Sequence, residues 1–211
     1  GVDIGGLTGA NDGDVCFTVS GANIGVKHPD AAAPATGTVN IYGENSIGGV
    51  IGTAYGNTAI SGVRVSANTN IARKGYGTVI NNATGGLYRT AIGGVIGRTV
   101  SETVNTLRDE IVYDGSITVN IATSNPSDNN PTGNVGGVIG AMGEGTRFLS
   151  GSIVTVTGSI GCNLTGNYVR NFGGVVGATI EGAFDGTFTV SPKISADNAT
   201  NVGGFIGRNF G

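Results

Sequence analysis

The chain has 211 residues, the size of one domain or one rod, and it is long enough to bury a core without a metal ion or a disulfide. Its 41 glycines greatly exceed the roughly 7% of ordinary proteins, yet the every-third spacing of collagen is absent. The net charge of −3, with eleven scattered Lys and Arg residues, provides no basic face, and no apolar run is long enough to span a membrane. These features argue against nucleic-acid partners, a lipid surface and membrane insertion.

One six-residue motif recurs along the whole chain and defines the repeats into which the predicted strands fall. Its copies lie at 4–9, 47–52, 92–97, 135–140, 172–177 and 202–207. The first glycine of each copy follows the previous one by 30 to 45 residues. Such a period predicts stacked coils of a repeat protein. The predicted coils are 5–47, 48–92, 93–135, 136–172 and 173–202, followed by a partial coil at 203–211.

Within the repeats, the motif is followed by up to two further segments that are predicted to be strands. Alternating apolar and polar residues predict a second strand at 15–19, 62–65, 115–119, 151–156 and 186–190. A third strand is predicted at 38–41, 78–80 and 193–195. Three short strands per turn predict an all-β, parallel β-solenoid of about five three-sided coils. The longest insertions, at 27–36 and 124–134, are predicted to be loops outside the stacked core.

The hexapeptides, each followed by a Gly-apolar-x-Val strand, resemble GLUG-motif repeats. Gly6-Leu7-Thr8-Gly9 keeps the leucine of that motif, whereas the other copies carry Val or Phe at this position. The resemblance covers essentially the whole chain. It implies tandem repeats of a secreted or surface-anchored bacterial protein, an adhesin for example, and therefore an extracellular or cell-surface location. Because the chain opens with Gly1 and not with Met, we expect a processed chain or a fragment.

Alternation along the hexapeptide predicts two buried columns. The first holds Ile4, Ile47, Ile92, Val135, Phe172 and Val202, and the second holds Thr8, Ile51, Ile96, Ile139, Val176 and Ile206. The apolar residues that alternation places on the opposite face form a ridge, and each lies between glycines or beside one. They are Leu7, Val50, Val95, Val138, Val175 and Phe205. Either the strand is bulged and both apolar residues turn inward, or the ridge is an interface covered by loops or by a neighbouring subunit. The ridge and Val202 are the candidate interface residues.

Residues that could support chemistry are few. Cys16 and Cys162 fall in coils 1 and 4, about 14 Å apart at ~4.8 Å per coil, so we expect no intrachain disulfide and two small buried side chains. They form no zinc motif. His28 is the only histidine and is predicted to lie in a surface loop. The calcium-like run at 11–14 lacks the downstream glutamate and is predicted to be a plain turn.

The best acidic candidates for glycoside chemistry are Asp109, Glu110 and Asp114, which could form a carboxylate pair across a turn. A solvated loop is the favoured interpretation, because the neighbouring coils carry no matching acids. Acceptor patterns for N-glycosylation occur at Asn82, Asn163 and Asn198. We therefore expect no catalytic residue, metal site or cofactor.

Two functions compete. The repeats favour a non-enzymatic structural rod that serves as a filament, stalk or adhesin and associates with further copies or with neighbouring repeats. The edge stretches 2–9 and 202–210 support end-to-end growth, because they carry only Asp3 and Arg208 as charges. The alternative is a glycan-binding or polysaccharide-degrading β-helix that contacts surface glycans. Its predicted sugar platforms are Tyr76, Tyr88, Tyr113 and Tyr168.

Overall fold

The structure, a computed structural model, describes residues 3–11, 16–25, 39–43, 46–73, 91–119, 133–162, 169–197 and 199–211. Within these residues every regular element is a β-strand, and the strand pairs are parallel. Strands from successive repeats stack into four sheets, here named A to D in the order in which a repeat visits them. The predicted fold class, an all-β parallel β-solenoid, is confirmed.

Each hexapeptide supplies two strands rather than one. Sheet A contains Asp3–Gly5, Ser46–Gly48, Ala91–Gly93, Asn134–Gly136, Val169–Gly173 and Ala199–Gly203. Sheet B contains Thr8–Asn11, Ile51–Ala54, Ile96–Thr99, Ile139–Met142, Val176–Thr179 and Ile206–Asn209. The first glycines of the motif pair with one another throughout, for example Gly48 with Gly93. The hexapeptide was treated above as a single strand, and this is wrong, because the chain bends between its two strands.

Sheet C follows, and each of its layers has two halves joined at a corner. Its strands are Phe17–Ser20, Asn23–Ile24, Thr58–Val65, Asn105–Tyr113, Thr146–Phe148, Ile153–Val156, Ala183–Phe184 and Thr187–Val190. The corner residues of the first four coils have positive φ angles: 66° at Gly21, 60° at Gly62, 59° at Asp109 and 86° at Gly151. Asp109 thus holds a left-handed conformation that the other three layers assign to glycine.

Sheet D completes each repeat. Its strands are Val39–Gly43, Thr69–Arg73, Ser116–Val119, Ser159–Cys162 and Lys193–Ala196. The predicted third strands at 38–41 and 193–195 lie here, whereas 78–80, 27–36 and 124–132 fall outside the described residues. The segment 115–119 was predicted as a second strand, but it lies in sheet D, whereas the other predicted second strands lie in sheet C. Each repeat therefore contributes strands to four sheets instead of the predicted three. The strands of sheets B, C and D show the same alternation of side chains, which is why the sequence pattern assigned this strand to the wrong sheet.

The two predicted core columns are confirmed in the interior coils. Their members there, from Ile47 to Val176, are fully buried. Of the two alternatives for the motif, the structure shows the inward turn and not an interface ridge at Val50, Val95, Val138 and Val175, because these four side chains are also 0% exposed and belong to the same core cluster. The bend at each Gly-Val pair breaks the strand alternation, so both apolar residues of the motif turn inward.

Sheets A and B pack backbone against backbone. An added Cβ on Gly97 of sheet B would lie 2.7 Å from the backbone nitrogen of Ile47 in sheet A. An added Cβ on Gly93 would overlap the carbonyl oxygen of Ile96. Real Cβ atoms do not approach that closely, so only glycine permits the two strands of the motif to fold back on each other.

Candidate assembly surface

The last strand of each sheet lies at one end of the solenoid, and together these strands form what we call the C-terminal end surface. It consists of Thr187–Val190, Lys193–Ala196, Ala199–Gly203 and Ile206–Asn209. In the described part of the chain, each of these strands pairs with a neighbouring layer on one side only. A strand edge with unpaired N–H and C=O groups is a template for pairing with another chain.

This end surface exposes apolar side chains that interior coils bury. Val202 is 53% exposed, whereas Phe172, its neighbour in the same column, is 0% exposed. Phe205 is half-buried and contacts the rings of Phe184 and Phe188 at centroid distances of 5.4 and 4.9 Å. The aromatic core therefore continues up to this edge, where no further coil of the described residues covers it.

The second glycine of each motif shows what covers the interior coils. An added Cβ on Gly6, Gly49, Gly94, Gly137 or Gly174 would overlap the carbonyl oxygen of the equivalent glycine in the next coil. Gly204 holds this position in the sixth coil, and nothing lies within 4 Å of its added Cβ. Gly204 also lacks a positive φ angle, so the backbone itself does not require glycine there.

An asparagine ladder runs along sheet A to the same edge. The Nδ2 atom of Asn171 donates to Oδ1 of Asn134 at 2.6 Å, and Nδ2 of Asn201 donates to Oδ1 of Asn171 at 2.7 Å. Within the described residues, Oδ1 of Asn201 accepts no hydrogen bond. The ladder thus ends at this edge with the side-chain oxygen of Asn201, which is a hydrogen-bond acceptor.

The opposite end carries its own exposed apolar residues. Leu7 is 54% exposed, and Val39 and Tyr42 are 37% and 38% exposed. The candidate interface residues therefore divide by position. Leu7 lies at one end, Val202 and Phe205 lie at the other, and the four valines lie in the core between them.

The acidic candidates are held apart by different partners. Asp109 and Glu110 lie in the strand Asn105–Tyr113, which corrects the predicted loop. Asp109 accepts a hydrogen bond from Oγ of Ser61, and a carboxylate oxygen of Glu110 lies 3.6 Å from a guanidinium nitrogen of Arg64. Asp114 accepts a hydrogen bond from Oγ1 of Thr157 at 3.0 Å. No carboxylate pair is formed by these three residues.

Tyr113 is not a sugar platform, because its side chain is 0% exposed in the core. Burial, and secondarily the charge of Asp114, raises the pKa of its phenol well above the usual value. Its hydroxyl has no hydrogen-bond partner among the described residues. The aromatic signal of the sequence could not separate this core tyrosine from a surface one. Tyr76, Tyr88 and Tyr168 lie outside the described residues.

The remaining candidates give no site. Cys16 is exposed, contrary to the buried position expected, because it lies just before the strand Phe17–Ser20 at the first layer of sheet C. Cys162 ends a strand of sheet D, and its side chain is outside the described set, as are His28, residues 12–14 and the three glycosylation asparagines, Asn82, Asn163 and Asn198. In the described part of the chain, no three His, Cys, Asp or Glu residues cluster as a metal site.

A search of the described residues finds no helix that is long and apolar enough to cross a membrane. Compared with known proteins, the chain matches no protein-family model, no curated protein and no solved structure. The resemblance to GLUG-motif repeats therefore stays a prediction.

Proposed function

We propose that this protein is a non-enzymatic structural β-solenoid that assembles end to end with further copies of itself. The observation that carries this proposal is Gly204. In every earlier coil the second glycine of the motif is needed because a carbonyl oxygen of the next coil occupies the space of a Cβ. Gly204 keeps the glycine with no such neighbour among the described residues. In this proposal, a coil of a second copy supplies that neighbour.

The chemistry of the end surface supports the same function. Its sheet A strand, Ala199–Gly203, carries neither charge nor proline, which are the usual protections of an exposed edge. Docking another coil on it covers Val202 and Phe205 and pairs the open backbone groups. The interaction joins unlike ends of two copies, so it is heterologous and continues into a fibre unless it closes into a ring.

The cellular role follows from this assembly and from the resemblance of the repeats. A rod of this kind serves as a filament, stalk or adhesin segment outside the cell or at its surface. The three acidic candidates Asp109, Glu110 and Asp114 each contact a separate partner and form no carboxylate pair with one another. Surface glycans are the further partners whose binding to the assembled rod should be tested.

The test compares the wild-type chain with Gly204→Ala. An added methyl group at position 204 meets nothing in the isolated chain, so the thermal midpoint of the monomer is expected to stay unchanged. In an assembly the same methyl meets the carbonyl oxygen of the docked coil. We expect sedimentation velocity and electron micrographs to show growing rods for the wild type and monomers for Gly204→Ala.

The matched control is Leu149→Ala, which alters a half-buried residue away from both ends and is expected to leave assembly intact. A wild-type chain that stays monomeric at millimolar concentration overturns the proposal. Equal assembly of wild type and Gly204→Ala overturns the role assigned to Gly204.

A further inference from the structure

We draw no further inference here: the strongest candidate, the charged cluster of Arg64, Arg108, Asp109 and Glu110 at the corner of sheet C between the second and third coils, carries nothing because its two carboxylates contact Ser61 and Arg64 of the same chain and no second observation among the described residues points to a ligand there.

Discussion

Gly204 holds in the sixth coil the place that Gly94 holds in the third, yet among the described residues only Gly94 has another coil over the position of its Cβ. A Cβ on Gly94 would overlap both the carbonyl oxygen of Gly137 and the ring of Tyr113, whereas a Cβ on Gly204 would meet nothing within 4 Å. Two identical residues at equivalent positions thus differ in whether the folded chain itself explains them. If the proposed end-to-end assembly holds, this difference separates the requirements of folding from those of assembly.

The first prediction uses this matched pair. Gly94→Ala is expected to lower the free energy of unfolding by about 1–3 kcal/mol or more, because the methyl group overlaps backbone that cannot move without shifting a coil. Gly94→Val should be worse and should far exceed the cost of Asp109→Ala. Gly204→Ala should change the value by under about 0.5 kcal/mol. Urea unfolding at dilute concentration measures all four; equal losses for Gly94→Ala and Gly204→Ala would contradict the stacking of the motif.

The second prediction concerns the corner of sheet C. Asp109 has a φ angle of 59°, a region in which a β-branched residue is strongly disfavoured. We expect Asp109→Val to be about 1–2 kcal/mol less stable than Asp109→Gly, since glycine adopts this conformation freely. Thermal unfolding of the two variants tests this. At Asn23, outside the corner, replacement by Val and by Gly should not show the same order.

The third prediction follows from the buried phenol of Tyr113. Its pKa is raised in the folded chain, while an unfolded tyrosine ionises near pH 10. The folded state therefore keeps its proton when the unfolded state loses it, so stability is fully retained below about pH 10 and falls as the pH rises further. Tyr113→Phe should remove this part of the decline. Chemical unfolding of both proteins between pH 8 and 11 measures the difference, and parallel curves would refute the assignment.

The fourth prediction concerns the first layer of sheet B. Thr8 is partly exposed and sits in the column otherwise filled by Ile and Val. Thr8→Ile should stabilise the monomer by up to about 1 kcal/mol, because isoleucine adds apolar area against the neighbouring Ile51 of the same column. Thr18→Ile, at an exposed site in sheet C, is the control and should change stability less. Urea unfolding measures both variants, and a Thr8→Ile chain less stable than the wild type would contradict the assignment of Thr8 to this column.

Much of this fold could be predicted from the repeat itself. The position of each motif and the burial of Ile47 and Ile51 follow from glycine spacing and alternation. The number of sheets could not be predicted in this way, because strands of sheets B, C and D share one period and only the corner dihedral angles separate them. For a related reason, the sequence left open whether the second apolar residue of each motif turns inward or forms a ridge. Strict alternation places Val50 on the outer face, but the bend at Gly49 turns it inward. An alternating sequence pattern does not show where a strand bends.

The candidate site was predictable only in part. Val202 and Phe205 were predicted as candidate interface residues, and both lie on the C-terminal end surface. Nothing in the sequence distinguishes Gly204 from Gly94, and the difference appears only when a Cβ is placed on each backbone. Asn201 and its ladder were likewise hidden, since a side-chain amide that pairs with its neighbour along the stack looks like any other polar residue in a strand.

The stacking of equivalent strands also determines how the rod responds to tension. The hydrogen bonds between layers run along the axis of the stack, so a pull on the two ends loads them one layer at a time, as in unzipping, instead of shearing many at once. Each coil that opens releases 30 to 45 residues of chain. At ~3.3–3.6 Å per extended residue, this lengthens the molecule by roughly 100–160 Å. A tether built from such coils therefore yields in discrete steps at low force and absorbs a sudden load without breaking a covalent bond.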